Sequence, residues 1–159
     1  MQTKRYSLAR EQTIATGIAQ QLLSITNDSD RRANFHGTRV WCKVKVDQTS
    51  ADNESHGIIA IMTRSSIKTQ GALTEADFDS GGDFEDMSEN IMAICPWAIY
   101  GGSTNQVGGN TFQEIECVFN SSRTLSKGGQ LVVICVNYGE SQKSVIVHEC
   151  LLSTFETVI

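Results

Sequence analysis

The sequence predicts a single all-β domain of the sandwich or barrel type, on three observations. About eight segments have the pattern of strands, separated at regular intervals by turns rich in Gly, Asn, Asp and Ser. None of these segments alternates with a helical one. Of 159 residues, 40% are hydrophobic, 19% are charged and one is proline, a globular composition. With no linker or internal repeat, we expect one domain over 1–159, with a short basic segment at 1–10.

The first half of the chain predicts four strands. They are KRYSLA (4–9), GIAQQLLSIT (17–26), TRVWCKVKVD (38–47) and GIIAIMTR (57–64). TRVWCKVKVD alternates strictly: Val40, Cys42, Val44 and Val46 fall on one face, and Arg39, Trp41, Lys43 and Lys45 on the other, as expected of a half-buried strand. GIIAIMTR is apolar throughout and predicts a central strand that is buried on both faces.

One segment of this half competes as a helix. In REQTIATGIAQQLLSI, Ile14, Ile18, Leu22 and Ile25 fall at nearly helical spacing. Thr13, Thr16 and Gly17 weaken a helix, and the neighbouring segments all read as strands, so strand is favoured.

The second half predicts four further strands. They are NIMAICPWAIY (90–100), FQEIECVFN (112–120), LVVICVNY (131–138) and SVIVHECLLSTFETVI (144–159). Pro96 lacks a backbone donor, which predicts an edge strand or a bend at that point. LVVICVNY predicts another buried strand. Trp41 and Trp97 suit either subunit contacts or the core, and core is the commoner place for a tryptophan in a strand.

The cysteines and the ends of the chain bear on its environment. The five cysteines are an odd number without a CxxC pair, and four lie in apolar runs, which predicts buried reduced thiols of an intracellular protein. No apolar run has the length of a transmembrane helix, and MQTKRYSLAR lacks the apolar core of a signal peptide. We therefore expect no membrane partner.

The acidic stretch TEADFDSGGDFEDMSEN (74–90) holds seven carboxylates and no basic residue. Counted as a calcium-binding EF-hand loop from Asp77, it has Gly81 at a ligand position and Ser88 where the bidentate Glu belongs, so that pattern fails. The favoured interpretation is a solvated surface loop. A looser Ca²⁺ site shared between subunits, with Asp77, Asp79 and Asp83 as ligands, stays as the alternative.

No pattern in the sequence supports catalysis. His36, His56 and His148 lack the short spacing of zinc ligands, and neither a GxSxG nucleophile elbow nor a phosphate-binding GxxxxGK[ST] loop occurs. Eleven aromatic residues spread along the chain do not indicate the aromatic-walled cleft that a glycosidase needs. The sequence therefore predicts a protein that is not an enzyme and holds no cofactor.

Charge is divided unevenly along the chain. Residues 1–68 carry ten Lys and Arg against six Asp and Glu, whereas residues 69–159 carry three against twelve. Such asymmetry favours faces of different sign. The basic residues that suit sequence-independent contacts to nucleic-acid phosphates are Lys4, Arg5, Arg10, Arg31 and Arg32.

The order of the segments resembles a known family. GIAQQLLSIT leads into the polar NDSDRRANFHGTRVWCKVKVD, then come GIIAIMTR, the acidic insert, NIMAICPWAIY and FQEIECVFN. In SSRTLSKGGQLVVICVN (121–137), a basic residue, a leucine and a Lys-Gly pair come before an apolar strand, which is the second-last strand of the chain. The family named next typically has a unit of this kind before its last strand. This layout resembles the small single jelly-roll capsid proteins of circular Rep-encoding single-stranded DNA viruses (CRESS-DNA-like viruses).

The resemblance implies a fold and a function. The fold is an eight-stranded antiparallel jelly-roll β-sandwich of two four-stranded sheets. Copies of the chain, about 60 in the smallest icosahedral shell, would enclose a single-stranded DNA genome in a virion assembled inside the host cell. Lys4, Arg5, Arg10, Arg31 and Arg32 would then be inward genome contacts, and the acidic loop would lie outside or between subunits.

The chain departs from that family in one respect and leaves alternatives open. Many such capsid proteins carry a long arginine-rich arm, whereas this chain has only MQTKRYSLAR, so direct packaging of the genome is in question. The first alternative is a jelly-roll binding module, either lectin-like or the trimeric receptor-binding domain of a spike or fibre. An enzyme of the cupin type comes third, because the metal-ligand cluster it needs does not show in the sequence.

Overall fold

The computed structural model describes residues 1–46, 54–64, 91–100, 112–139 and 144–159. Within them the chain forms strands and no helix, which confirms the predicted all-β class. The strands are β1 (Gln2–Ser7), β2 (Gln12–Ile14), β3 (Ala19–Thr26), β4 (Ala33–Val46), β5 (Glu54–Arg64), β6 (Ile91–Tyr100), β7 (Gln113–Leu125), β8 (Gln130–Asn137) and β9 (Val145–Val158). All eight predicted strands are present, and the competing helical segment forms β2 and β3 instead. A helix able to span a membrane is likewise not found in these ranges.

The strands form two antiparallel sheets that pack into a sandwich. The first has the order β1-β9-β4-β7, with β2 also paired to β9, and the second has the order β3-β8-β5-β6. Strands β1 and β2 pair with β9 through Gln2–Glu156 and Gln12–Val147, so they act as one strand interrupted by a bend. With β1 and β2 counted together, the predicted eight-stranded sandwich is confirmed.

The pairing is nested from the chain ends inward. Strand β1 pairs with β9, β3 with β8, β4 with β7, and β5 with β6. This is the pairing of one long hairpin, and rolling it up brings β9 beside β4 and β8 beside β5. The result is the jelly roll.

Strand position in each sheet follows from local sequence. The apolar β5 and β8 are the two inner strands of the second sheet, as their composition predicts. Strand β6, which contains Pro96, lies at the edge of that sheet, where its missing N–H breaks no ladder. In β4, Val40, Cys42 and Val44 are fully buried while Arg39 and Trp41 point away from the core, as the period of two predicts.

The core between the sheets contains most of the thiols. Cys42, Cys117, Cys135 and Cys150 are buried there, and Cys95 packs against them half-buried. Cys42 and Cys150 face each other across β4 and β9 with their Sγ atoms 3.1 Å apart. Burial raises the pKa of Cys117 and of Cys135, which keeps these thiols protonated. All five cysteines are free thiols in the structure. Of the four in apolar runs, three are buried as predicted and Cys95 is half-buried, whereas Cys117, outside those runs, is buried.

A second apolar cluster lies on the opposite face of the β3-β8-β5-β6 sheet. Strand β8 supplies both clusters, because Leu131, Val133 and Cys135 face the inter-sheet core while Val132 and Ile134 face the other way. Burial on both faces explains why this strand has no polar alternation.

Two buried asparagines hold the turns at the ends of the strands. Asn27, after β3, donates from Nδ2 to the carbonyls of Arg31 and Leu125, and its Oδ1 accepts from the backbone N–H and the hydroxyl of Ser29. Asn137, at the end of β8, accepts from the Ser55 hydroxyl and donates to a backbone carbonyl of β2. Each replaces the backbone partners that are missing where a strand ends.

Candidate nucleic-acid interface

The exposed face of the β1-β9-β4-β7 sheet carries a mixture of basic, aromatic and aliphatic side chains. Antiparallel pairing aligns them in rows across the strands, since residues directly opposite point to the same side of a sheet. One row runs Ser7, Leu151, Trp41, and the next runs Arg5, Ser153, Arg39.

These two rows form a groove of about 370 Å³ that opens to solvent. Strand β1 supplies Arg5, Tyr6 and Ser7, and β4 supplies Arg39 and Trp41. Strand β9, between them, supplies the floor with Leu151, Leu152 and Ser153. The groove exists because the middle strand places the short Ser153 between two arginines, each one strand spacing away, about 5 Å.

The charge of the groove comes from its two guanidinium groups. Arg5 is exposed, and no salt bridge to it occurs in the part of the chain that the structure describes. The Nε atom of Arg39 lies 3.0 Å from Oε1 of Glu116 on β7, and both side chains are mostly exposed. This pair uses one of the five N–H donors of the guanidinium. The Lys43 ammonium lies 5.5 Å from the centroid of the Trp41 ring and adds positive charge beside the groove.

Lys4, the first of the predicted nucleic-acid contacts, forms ion pairs within the protein. Its Nζ lies 2.8 Å from Oε2 of Glu156 and 3.3 Å from Oδ1 of Asp28, and only 11% of its side chain is exposed. Burial alone lowers the pKa of Lys4, but the hydrogen bonds to Glu156 and Asp28 outweigh it and raise that pKa. The same contact lowers the pKa of Asp28. Because neighbours along a strand point to opposite sides, Lys4 lies across β1 from Arg5.

The other three predicted contacts are exposed but far apart. Arg10 lies in the bend before β2, which pairs with the beginning of β9. Arg31 and Arg32 precede β4, and the carbonyl of Arg32 accepts from the N–H of Ile159 at the other end of β9. The length of β9 separates these positions by roughly 40 Å. Of the five predicted residues, the structure therefore brings only Arg5 into the groove.

Two groove residues, Arg39 and Trp41, were not predicted as contacts. The signal was present in TRVWCKVKVD, because its period of two puts both of them on the polar face of the strand. Trp97 is buried at 2% exposure, as expected for a strand tryptophan, whereas Trp41 is half-buried on the exposed face of the sheet. The pattern shows the face but not that β1 and β9 complete a groove beside it.

A second polar cluster lies near the beginning of β9. Nδ1 of His148 lies 2.7 Å from Oε2 of Glu11, and the imidazole ring is tilted by 43° against the Phe112 ring, with the two centroids 5.0 Å apart. The hydrogen bond from His148 lowers the pKa of Glu11. Both side chains are about half exposed, so water screens their attraction.

The candidate calcium ligands Asp77, Asp79 and Asp83, with the whole acidic stretch 74–90, lie outside the described residues. In the described ranges, no group of three or more His, Cys, Asp or Glu side chains is placed to hold a metal ion. The Ca²⁺ interpretation stays a prediction.

Comparison with known proteins assigns the fold but no family. No protein-family model matches the chain, and no curated protein matches it. A hydrolase of the CocE/NonD family from Staphylococcus aureus is similar at a TM-score of 0.50 and 10% identity. The match covers 97% of this chain but 37% of the hydrolase, so the whole chain corresponds to about a third of that protein.

The structural neighbours also include virus particles. A structure of infectious bursal disease virus, Gt strain, matches 96% of this chain and 33% of its own, at 12% identity and a TM-score of 0.42. A picornavirus capsid structure, from equine rhinitis A virus, matches 92% of this chain and 69% of its own, at 10% identity and a TM-score of 0.38. At these TM-scores, neither match by itself supports an assignment of function.

The prediction that the chain is not an enzyme is wrong on these comparisons. Two of the structural neighbours, each at a TM-score of 0.50, are structures of a CocE/NonD family hydrolase. A missing motif in one short chain therefore gave no basis for excluding catalysis, since this β-sandwich also occurs as part of a hydrolase.

Proposed function

We propose that this chain is a viral capsid subunit whose copies associate into a closed icosahedral shell around nucleic acid. The observation that carries the proposal is that five of the ten large apolar side chains exposed in the described residues lie at the edges and ends of the jelly roll. They are Tyr6 on β1, Ile18 before β3, Ile94 on β6, and Val158 and Ile159 at the end of β9. A sandwich packed edge to edge with its copies would bury these residues and leave its two sheets facing inward and outward.

Unpaired strand edges support the same proposal. In the described strand orders, β1 and β7 end the first sheet and β3 and β6 end the second. A free edge presents N–H and C=O groups that pair with other chains unless they are blocked, and Pro96 is the chain's one proline. Contacts between subunits in a closed shell would cover such edges.

The charge distribution supports the orientation of the subunit. The groove with Arg5 and Arg39 lies on the exposed face of the β1-β9-β4-β7 sheet, and we propose that this face turns toward the genome. The resemblance to CRESS-DNA-like capsid proteins suggests single-stranded DNA, bound independently of sequence. The assembled protein would be located in the virion, formed inside the host cell.

The experiment is size-exclusion chromatography with light scattering on the expressed chain, with absorbance read at two wavelengths and the peak imaged by electron microscopy. We expect megadalton particles of uniform diameter, with nucleic acid in the peak. A stable monomer, dimer or trimer across salt and pH would overturn the shell proposal.

Matched substitutions test the orientation. Ile94→Asp places a charge at a sheet edge, and we expect it to abolish particles while leaving a folded subunit. Phe155→Asp is the control on β9, an inner strand of the first sheet, where Phe155 is 39% exposed against 42% for Ile94, and we expect particles to form. Loss of particles with Phe155→Asp alone would contradict the proposed orientation.

A second candidate function is a jelly-roll module of a larger hydrolase. The observation that favours it is the match of nearly the whole chain to about a third of the CocE/NonD family hydrolase. A monomer in the light-scattering experiment would support it. Hydrolysis of small esters by that monomer would then be the next measurement.

A further inference from the structure

We propose that the groove between β1, β9 and β4 binds one unpaired nucleotide, with its base stacked on Trp41 and its phosphates held by Arg5 and Arg39. The inference rests on the proposed function, since the encapsidated genome is its natural ligand. It goes further in assigning a base-binding residue and two phosphate-binding residues. An aromatic ring beside cationic side chains in an open groove is how proteins bind single strands without reading sequence.

Trp41 is placed for stacking. It projects from the exposed face of β4, where its pairing partners are Leu151 on β9 and Glu116 on β7. It is half-buried, and the Lys43 ammonium 5.5 Å from its ring centroid adds an attractive contact that favours one orientation of the indole. A base stacked on the Trp41 indole would also contact the Leu151 side chain, so it would have apolar protein surface on two sides.

Arg5 and Arg39 are placed for phosphates. They lie on the same row of the sheet, on either side of Ser153, which puts their backbones roughly 10 Å apart. Planar guanidinium groups form bidentate hydrogen bonds with phosphate oxygens. The Ser153 side chain lies at the floor between the two arginines. It can form a further hydrogen bond to the sugar-phosphate backbone of the nucleic acid.

The size of the groove favours single-stranded over double-stranded nucleic acid. Its volume of about 370 Å³ is at the lower end of small-molecule sites, enough for one nucleotide but not for a base pair. A base in a duplex has both faces covered by its neighbours, so only an unpaired base can lie flat on Trp41.

Glu116 opposes binding and provides a test in the opposite direction. Its carboxylate lies 3.0 Å from Nε of Arg39, so it repels a phosphate approaching that guanidinium. Glu116→Gln removes the charge while keeping the side-chain length. We expect tighter binding, by about 2- to 5-fold, which corresponds to the strength of an exposed ion pair.

The experiment uses the full chain, freed of bound nucleic acid in high salt, and titrates it with a short oligothymidylate while tryptophan emission is recorded. The two tryptophans separate the signals, because Trp41 lines the groove whereas Trp97 is 2% exposed. We expect partial quenching, from Trp41 alone, that is absent in Trp41→Phe. A duplex of the same length should bind at least about 10-fold more weakly, because its bases are already stacked.

Affinity is measured by anisotropy of the labelled oligothymidylate on matched variants. We expect Trp41→Ala to weaken binding about 5- to 100-fold, the usual range for loss of one stacking ring. Arg5→Ala should weaken it more than Arg10→Ala, which removes the same charge outside the groove. Circular dichroism of each variant checks that the sheet is intact.

Three results would overturn the inference. They are equal losses from Arg5→Ala and Arg10→Ala, equal binding of duplex and single strand, or quenching of Trp41 by an oligosaccharide but not by oligothymidylate. Light scattering on the same samples separates the two proposals. Dissociated subunits that do not bind the oligonucleotide but still reassemble into particles defeat the groove alone, whereas a subunit that binds it and never assembles defeats the shell alone.

Discussion

At the scale of single residues, the side-chain hydrogen bonds of Asn27 stabilise the turn that follows β3. All four of its amide hydrogen-bonding positions are used, and it is fully buried. We expect Asn27→Ala to lower the free energy of unfolding by about 2–4 kcal/mol, because it leaves the buried Leu125 carbonyl and the Ser29 amide without partners. Urea denaturation followed by fluorescence measures this loss.

The control for that prediction is Asn120→Ala, the same substitution at an exposed position of β7. It should change the free energy of unfolding by less than about 0.5 kcal/mol. Equal losses from the two variants would show that the Asn27 hydrogen bonds do not stabilise the turn.

The Lys4–Glu156 ion pair is the second residue-scale prediction. Glu156 is 4% exposed, so Lys4→Met leaves a buried carboxylate without its cation, and we expect a loss of about 2–3 kcal/mol. Lys4→Met combined with Glu156→Met should recover most of it. Lys127→Met is the control, because the Lys127–Asp30 pair is largely exposed and contributes under about 1 kcal/mol.

The raised pKa of Lys4 gives this pair a pH dependence of known sign. Its stabilising contribution is fully present below the ordinary lysine pKa of 10.5 and is lost as the pH rises through the higher pKa of the folded protein. Wild type should therefore lose stability at strongly alkaline pH more steeply than the double variant. Parallel alkaline profiles would contradict this assignment.

At the scale of elements, β5 can approach its neighbours closely because of Gly57. A Cβ atom there would lie 1.9 Å from the carbonyl oxygen of Val136 on β8 and 2.6 Å from Cζ2 of Trp97 on β6. We expect Gly57→Ala to destabilise the fold by about 3 kcal/mol or more, since a backbone oxygen in a sheet cannot move aside. Thermal denaturation followed by circular dichroism would detect the lower Tm.

Gly37 provides the comparison for that variant. It lies at the bulge in β4, with a φ of 58°, and a Cβ there would lie 3.0 Å from the Phe155 ring. Backbone strain costs Gly37→Ala about 1–2 kcal/mol, and the partly exposed Phe155 ring can shift to relieve the contact. A larger loss for Gly37→Ala than for Gly57→Ala would contradict this ranking.

Strand β4 connects the fold with the candidate site. Its inward residues form part of the core, and its outward residues supply one wall of the groove. The period of two in TRVWCKVKVD predicted this division, and the structure confirms it. The bulge at Gly37 shifts the register between β4 and β9, which is why Arg39 lies opposite Ser153.

At the scale of the whole molecule, nested pairing makes folding depend on distant contacts. Strand β1 pairs with β9, so the two ends of the chain must meet before the first sheet is complete. We expect refolding on the order of milliseconds to seconds, as is usual for sandwiches dominated by non-local pairing. Stopped-flow fluorescence of the buried Trp97 measures this rate. Complete recovery within microseconds would contradict it.

The sequence by itself determined the strands, their faces and the depth of burial of β5 and β8, because these follow from side-chain periodicity and composition along a short segment. Only the tertiary structure decided that Lys4 is held by Glu156, and that Arg5, Ser153, Arg39 and Trp41 form one groove. Those residues are up to about 150 positions apart, and their meeting depends on strand order and register, which no local pattern encodes. The fold does not determine the function either, since this sandwich also occurs as part of a hydrolase.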